Sequence, residues 1–312
     1  MGIKGLNQIL KQRFPNCMHS ISIETLQGKT IVVDASIYMY RFKGEGGLIG
    51  GIYHMVSILC YHKVIPIFIF DGIPPYEKMD ELKVRQTTKQ DIERMIHNLT
   101  DQMKNKPVEP AQNTLYRIHE LKRKCVKLTR NDKQEVKKLL QHMGISYYQC
   151  EGESDPVCAH MVITNHAYAC LSEDMDMFLY GCPRVLRYFS LLYSSVIEYE
   201  LSNILKELGM SLFEFRILCV LTSTDYNIYS EPRIHLSDAL ILFEKYKMNM
   251  HNNSFMEWLL HQECICDIQT FQHTMDMFKI NPTMLLYKTI SKSTYNNTLI
   301  RSLLNNHGFI FI

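Results

Sequence analysis

Several common features are missing from the 312-residue sequence. No apolar run is long enough to span a membrane, and the amino terminus has no signal-peptide pattern, so we expect a soluble intracellular protein without a membrane partner. The ten cysteines include no CxxC spacing, and such scattered cysteines suit a reducing compartment. Around His261, Cys264 and Cys266, a zinc site is one interpretation and unpaired buried thiols are the favoured one.

A large net charge is also missing, because the formal charge of the chain is only +2. The charges are unevenly spread, however, since residues 76–130 hold thirteen Lys and Arg against eight Asp and Glu. A basic segment on a mildly acidic body suggests that a polyanion is held by one part and worked on by another. A solvated pair of helices would explain the same charges.

Short β-branched or aromatic runs alternate with helical stretches along the chain. The predicted strands are residues 30–36, 64–75, 144–150, 166–174 and 184–190. The predicted helices are residues 48–63, 131–143 and 155–163. This alternation predicts an α/β fold with a mainly parallel central sheet flanked by helices, in which ligands bind at the carboxyl ends of the strands.

Acidic residues collect where these strands end, and one more ends an apolar helical run. They are Asp34, Asp71, Glu153, Asp155, Asp174, Asp176 and Asp225. A single Asp at such a turn is usually a helix cap or an Asx-turn. Seven carboxylates in one pocket would repel each other by on the order of several kcal/mol unless cations neutralise them.

The chemistry of this set of acids favours hard, oxygen-loving cations such as Mg²⁺ or Mn²⁺. No His or Cys joins the set, which counts against zinc. Two such ions, about 4 Å apart, form the usual device for phosphodiester hydrolysis, in which one lowers the pKa of the attacking water and the other stabilises the leaving oxygen.

Six motifs occur in the order and spacing of the flap endonucleases, the XPG-type 5′ nucleases. They are "MGIKGLNQIL", "VVDAS", "FIFDGIPP", "EGESDPVCA", "SEDMDMFLYG" and "TSTDY". The resemblance runs from Met1 to about Asp225 and continues more weakly to the end. It implies a PIN-like 5′ nuclease fold with a helical arch and a helical C-terminal DNA-binding region.

The resemblance also implies four regions within one compact catalytic unit. These are an N-terminal nuclease region with the first leg of the arch (1–100), the second leg (101–130), an internal nuclease region (131–225) and a helical region with a degenerate helix-hairpin-helix (226–312).

By the same resemblance, the seven acids are the ligands of two Mg²⁺ ions, with Mn²⁺ as a substitute, and Asp155 stands where the family usually has Glu. Gly2 and Ile3 match a Gly-Ile pair near the site, and Gly2 is one of the expected DNA contacts. Tyr40 matches a tyrosine on which the family stacks a base, although a core aromatic on a helix would also fit this position.

In the arch, Lys78 and Arg85 match the catalytic Lys and Arg of the family. Their spacing is about two helical turns, so both face the same way and would clamp the scissile phosphate. They join Asp34, Asp71, Glu153 and Asp174 in the expected catalytic set. For Lys83 and Lys89, a solvated helix face is an adequate interpretation.

We expect Pro107 and Pro110 to divide the arch into two legs. The expected DNA contacts of the second leg are Lys122, Arg123, Lys124, Lys127 and Arg130.

The sequence departs from the family in three further places. Residues 226–245 contain no glycine where the family has a Gly-rich hairpin that binds a duplex phosphate and a monovalent cation. We therefore expect weak dependence on K⁺ and phosphate contacts through side chains such as Arg233. The loop after Tyr40 is shorter than the wedge of the family, and the carboxyl-terminal end lacks the sliding-clamp motif.

The expected function is a Mg²⁺-dependent nuclease that cuts DNA, such as a 5′ flap or branched duplex, at junctions of single strand and duplex during replication or repair. We expect a monomer in the nucleus or at a cytoplasmic site of DNA replication. The alternatives are a related 5′ exonuclease, a junction resolvase or an RNA-cutting host-shutoff-type nuclease. A nuclease-like scaffold that no longer cuts is a remote alternative.

Overall fold

The computed structural model describes residues 2–105, 112–228, 234–248, 253–280 and 294–310. Pro107, Pro110 and Arg233, which carry expectations from the sequence, lie outside the described residues.

Seven strands form one mixed sheet at the centre of the chain. They are β1 (Met18–Ser22), β2 (Thr30–Asp34), β3 (Ile65–Phe70), β4 (Ser146–Gln149), β5 (Ala169–Leu171), β6 (Arg184–Ser190) and β7 (Ser195–Glu200). Their order is β1-β7-β6-β5-β2-β3-β4. The five strands from β6 to β4 are parallel, whereas β7 and β1 pair antiparallel at one edge. The predicted mainly parallel sheet is confirmed.

The helices surround this sheet. They are α1 (Leu6–Arg13), α2 (Ala35–Gly44), α3 (Leu48–Tyr61), α4 (Met79–Asn105), α5 (Gln112–Lys124), α6 (Arg130–His142), α7 (Asp155–Ile163), α8 (Leu201–Leu208), α9 (Leu212–Leu221), α10 (Leu236–Met248), α11 (Phe255–His261), α12 (Ile268–Met277) and α13 (Asn297–Asn306). The three predicted helices correspond to α3, α6 and α7 within two residues. None of the helices in the described ranges has both the length and the apolar character that a membrane span requires.

The central strand β2 shows why the sheet is covered on both faces. Ile31 and Val33 belong to the hydrophobic core formed with α2, α3, α6 and α13, whereas Val32 belongs to the core formed with α1, α7 and the helices α9 to α12. Alternate residues of a strand point to opposite faces, so "TIVV" can be apolar throughout only where helices cover both sides. The strand is therefore buried up to Asp34.

The predicted helical arch corresponds to α4 and α5, which pack against each other. The segment after α5 turns back along α4, where the Cys125 thiol donates a hydrogen bond to the Lys89 carbonyl over 3.5 Å and Lys127 Nζ lies 2.8 Å from Glu93 Oε1. A turn of 3-10 helix, Tyr76–Lys78, begins the arch directly after the loop that follows β3. The base of the arch therefore stands beside the carboxyl end of the sheet.

Candidate active site

Acidic side chains lie at the carboxyl ends of the parallel strands. Asp34 is the last residue of β2, Asp71 follows β3, and Ser172 follows β5. The Ser172 hydroxyl donates to Asp34 Oδ2 over 3.1 Å, and Ser154 donates to Asp71 Oδ1 from its amide over 2.8 Å and from its hydroxyl over 2.6 Å. The first bond joins the ends of the neighbouring strands β2 and β5, and the other two join Asp71 to the start of α7.

Two glycines allow the surrounding backbone to approach these acids closely. The amide of Gly72 donates to the Gly152 carbonyl over 2.7 Å, and a Cβ at Gly72 would overlap the backbone of Glu151. At Gly2, with φ +75°, a Cβ would overlap the carboxylate oxygens of Asp174 and Asp176. A larger residue at position 2 would overlap these carboxylates and would be strained at a positive φ. Glycine avoids both the overlap and the strain, so the amino-terminal segment can lie directly against the acids.

A cavity of about 820 Å³ opens between the sheet edge and the arch. We call five of its lining residues the acid floor: Asp34, Asp71, Glu153, Asp155 and Asp174. We call three others the basic rim: Arg123, Lys124 and Lys127. Lys78, Arg85 and Tyr40 line the same cavity between floor and rim.

A second cavity of about 460 Å³ lies beside the first. Gly2 and Asp225 line it, and Arg85 borders both cavities. Asp176 is buried directly behind Asp174, whose Oδ1 accepts a hydrogen bond from the Asp176 amide over 3.0 Å. The fold thus brings all seven predicted acids to the same end of the sheet, and Asp174 also caps a short 3-10 turn as the simpler interpretation expected.

Burial and mutual repulsion make these acids costly to ionise. Burial, together with Asp71 and Asp174, raises the pKa of Asp34 to about 8. Burial and neighbouring carboxylates also raise the pKa of Asp155 and that of Asp176 well above the usual range, and burial raises the pKa of Asp174. The buried Oδ1 of Asp34 and that of Asp176 have no hydrogen-bond partner among the described residues. Positive charge placed here would stabilise the ionised forms.

The base of the arch supplies two such charges, Lys78 from the 3-10 turn and Arg85 from α4. Lys78 Nζ hydrogen-bonds to Glu153 Oε1 and lies 3.5 Å from Asp225 Oδ2. The Arg85 guanidinium donates to Asp225 Oδ2 over 3.0 Å. The predicted pair therefore faces one pocket, and both cations contact predicted metal ligands.

The chemical type of the acids fits a hard divalent cation, because the donors are all carboxylate oxygens and several are buried without a neutralising partner. Within the described ranges, however, no three Asp, Glu, His or Cys side chains are arranged together as a ready set of ligands. Lys78 and Arg85 hold oxygens of Glu153 and Asp225 instead. The metal assignment therefore rests on charge and donor type.

Sequence reasoning missed two side chains of the site. Glu81 is buried on α4 and pairs with Arg85 at a spacing of four residues, which places both on one helix face. The Tyr226 hydroxyl donates to Glu153 Oε2. The available signals were the spacing of Glu81 from Lys78 and Arg85, and the position of Tyr226 directly after Asp225.

The interpretation of Lys89 as part of a solvated face is wrong. Its Nζ donates to the Val126 carbonyl over 2.9 Å and lies 5.2 Å from the centroid of the Tyr40 ring, because the segment after α5 folds back onto α4. Tyr40 is 44% exposed and is not a core aromatic. Lys83, by contrast, is exposed and pairs with Asp80 over 2.8 Å.

The other predicted DNA contacts divide into two groups. Arg123, Lys124 and Lys127 line the large cavity, whereas Lys122 and Arg130 are exposed away from its lining.

The cysteines are unpaired thiols. The described residues place no metal-binding group around His261, and the expectation of burial is wrong for Cys266, which is exposed, and for Cys264, which is half-buried. Both belong to the loop that connects α11 to α12, which is at the surface of the helical region.

Two family models match the chain, the XPG N-terminal domain over residues 1–92 and the XPG I-region over residues 144–225. The chain is 30% identical over 284 residues to flap endonuclease 1 of Methanococcus aeolicus, with 86% of this chain and 80% of the relative covered. It is 29% identical over 245 residues to flap endonuclease 1-A of Oryza sativa subsp. japonica, with 72% of this chain covered. The chain spans 62% of the length of that plant relative.

Solved structures show the same fold. The catalytic core of Rad2 in complex with DNA substrate superposes with a TM-score of 0.69 at 21% identity, covering 98% of this chain and 95% of that one. Human GEN1 in complex with Holliday junction DNA gives 0.66 at 20% identity, covering 98% and 73%. Flap endonuclease-1 from Methanococcus jannaschii gives 0.63 at 22% identity, covering 94% and 92%.

Proposed function

Because the chain belongs to the flap endonuclease family of XPG-type 5′ nucleases, we propose that it hydrolyses DNA phosphodiester bonds at junctions between single strand and duplex. The observation that carries this proposal is the single cavity in which the acid floor faces Lys78 and Arg85. Buried carboxylates that raise each other's pKa, opposed by cations on a helix, suit a reaction centre better than a structural core.

The seven acids, Asp34, Asp71, Glu153, Asp155, Asp174, Asp176 and Asp225, would hold two Mg²⁺ ions, with Mn²⁺ as a substitute. These ions supply an activated water and positive charge for the leaving oxygen. Carboxylates with fixed positions would hold these cations in place before charge develops, which is the condition for electrostatic catalysis. The products would carry a 5′-phosphate and a 3′-hydroxyl.

Lys78 and Arg85 would hold the scissile phosphate between the acid floor and the arch. Both cations already make charge-assisted contacts with Glu153 and Asp225, so a substrate phosphate would compete with those carboxylates for the same donors. Arg85 also pairs with Glu81, which limits the directions in which its guanidinium can point. This pairing favours a defined position for the positive charge.

The basic rim and Tyr40 would bind the DNA around the cut. Arg123, Lys124 and Lys127 offer exposed cations to phosphates, and the half-exposed Tyr40 ring offers a flat face to a base. Lys89 over that ring would either move away or contact the same nucleotide.

A junction-resolving or 5′ exonuclease activity is the second candidate. The connection between α2 and α3 consists only of residues 45–47, which is short for a wedge against a duplex end. Residues 226–245 contain no glycine for a phosphate-binding hairpin. Both features favour a substrate preference that differs from that of a flap-specific enzyme.

The four regions predicted from the sequence remain our proposal for how the work is divided, with catalysis in 1–100 and 131–225, strand passage in 101–130 and duplex contacts in 226–312. We propose action as a monomer in DNA replication or repair, in the nucleus or at a cytoplasmic replication site.

A cleavage panel with purified protein tests the proposal. A 5′-flap duplex, a blunt duplex, a four-way junction and an RNA flap of the same sequence are compared in Mg²⁺ and in EDTA. We expect Mg²⁺-dependent cutting of branched DNA near the junction, with the ranking of substrates separating the candidates. Cutting of the RNA flap alone would favour an RNA-cutting nuclease, and absence of cutting of every substrate in both Mg²⁺ and Mn²⁺ would favour a non-cutting scaffold.

A further inference from the structure

Two tyrosine hydroxyls extend the acid floor towards the C-terminal helices. Glu153 Oε2 accepts a hydrogen bond from Tyr226, and the Tyr226 and Tyr180 hydroxyl oxygens lie 2.8 Å apart. The other oxygen of Glu153, Oε1, is bonded to Lys78. The Glu153 carboxylate is therefore held at both oxygens, by the arch on one side and by the tyrosine pair on the other.

The two rings are fixed by packing. Phe278 is fully buried at the end of α12, with its centroid 5.2 Å from that of Tyr180 and 5.3 Å from that of Tyr226. Both ring pairs meet edge to face, the preferred arrangement for aromatic side chains. Tyr180 is itself buried directly after the 3-10 turn that carries Asp176. The cluster thus connects the turn with two acids to a third acid, Glu153.

The direction of the hydrogen bonds follows from the chemistry of the phenol. A tyrosine hydroxyl has one proton to donate and can also accept. Since Tyr226 donates its proton to the Glu153 carboxylate, Tyr180 must donate to Tyr226. A phenol has an ordinary pKa of about 10, so the Tyr226 hydroxyl carries its proton near neutral pH. Removing the Tyr180 hydroxyl would remove the hydrogen bond that orients the Tyr226 hydroxyl towards Glu153.

We propose that Tyr226 is a positioning residue that fixes the Glu153 carboxylate for a divalent cation, and that Tyr180 in turn orients Tyr226. This inference rests on the proposed function, in which Glu153 is a metal ligand. Hydrogen-bond partners behind a ligand carboxylate fix its orientation, and their loss typically lowers metal affinity by about 10- to 100-fold. A purely structural pair of tyrosines would affect stability and leave metal affinity unchanged.

The test is the affinity for Mn²⁺ alone, measured without DNA from the electron paramagnetic resonance signal of the free ion. The variants are Tyr226→Phe, Tyr180→Phe and the double variant, which remove hydroxyls and retain the rings. Tyr168→Phe is the matched control, because the Tyr168 hydroxyl also donates to a carboxylate, Glu198 Oε1 over 2.9 Å, which is not one of the seven acids.

We expect Tyr226→Phe to weaken Mn²⁺ binding by about 10-fold or more, Tyr180→Phe to weaken it less, and Tyr168→Phe to leave it unchanged. The double variant should match Tyr226→Phe, because Tyr180 acts only through Tyr226. In cleavage, the Mg²⁺ concentration for half-maximal single-turnover rate should rise, while the rate at saturating Mg²⁺ stays near that of the wild type.

The outcomes separate this inference from the function on which it rests. If the wild type binds no Mn²⁺, the metal assignment itself fails. If the wild type binds and Tyr226→Phe binds equally well, the positioning role is wrong and the metal assignment stands. Circular dichroism and thermal unfolding check that each variant folds, and if Tyr226→Phe does not fold, the affinity of Tyr180→Phe decides the question.

Discussion

The acid floor and the basic rim line the same cavity, but their charged groups differ in burial and in the partners that hold them. Asp34 and Asp174 of the floor are 4% and 3% exposed, and they accept hydrogen bonds from the Ser172 hydroxyl and the Asp176 amide, respectively. In the rim, the Lys127 side chain is 65% exposed and pairs with the exposed Glu93. Exposed ion pairs contribute only about 0–1 kcal/mol, so a rim cation can exchange its partner for a phosphate at little cost. The carboxylates of the floor are therefore held in place, whereas the cations of the rim can exchange a carboxylate partner for a phosphate.

The largest effect is expected from removing one acid of the floor. Asp174→Ala should slow cutting by roughly a thousandfold or more, because losing a ligand of the metal site removes several kcal/mol of transition-state stabilisation. DNA binding should be nearly intact, since the basic rim is unchanged and a repulsive charge is gone. Single-turnover rates in Mg²⁺ and binding measured in Ca²⁺ check both statements.

Asp91→Ala is the matched control for this change, because Asp91 is exposed on α4 and pairs only at the surface with Arg94 over 3.1 Å. It should cut at the wild-type rate. A normal rate for Asp174→Ala would remove the distinction between floor and rim acids.

Arg85, which lies between the floor and the rim, should affect the cleavage rate more than the affinity for DNA. Arg85→Ala is expected to slow the single-turnover step by about 100-fold, because a preorganised cation aimed at developing charge acts selectively on the transition state. Arg85→Lys keeps the charge without the planar fork and should recover part of the rate. Lys83 is exposed on the same helix, so Lys83→Ala should change neither the single-turnover rate nor the affinity for DNA strongly.

Measurements at saturating enzyme separate the rate of the chemical step from binding. If Arg85→Ala lowered affinity while the chemical rate stayed unchanged, Arg85 would belong with the rim as an ordinary phosphate contact.

The smallest effect is expected at the rim itself. Lys127→Ala should weaken DNA binding modestly and similarly for different sequences, with the slope of log affinity against log salt reduced by about one. The rate at saturating DNA should stay near that of the wild type. Fluorescence anisotropy over a salt series measures this slope, and Lys122→Ala, outside the cavity lining, serves as the comparison.

The sequence predicts the parallel strands of the sheet better than the antiparallel strands β1 and β7. The apolar runs of β2 and β3 are visible because helices cover both faces of these strands. The strands β1 and β7 were missed, since "MHSIS" and "SVIEYE" mix polar and apolar residues and are only partly buried. The predicted strand at 64–75 was too long, because the residues of "GIPP" belong to a loop whose backbone hydrogen-bonds to Gly152.

The same limit applies to the site. The acids were predictable because the carboxyl ends of parallel strands lie together on the same side of the fold. Glu81, Tyr226 and Lys89 were not, because their partners come from segments distant in the sequence or depend on side-chain direction. Spacing on a helix identifies a shared face, whereas it does not say whether another segment covers that face.

Anomalous scattering from a crystal grown with Mn²⁺ would show whether the acid floor is a divalent metal site. We expect two anomalous peaks at coordination distance from the acids of the floor, with Lys78 and Arg85 released from at least one of Glu153 and Asp225. A well-ordered map with no peak among these acids, and with Lys78 still on Glu153, would contradict the metal assignment.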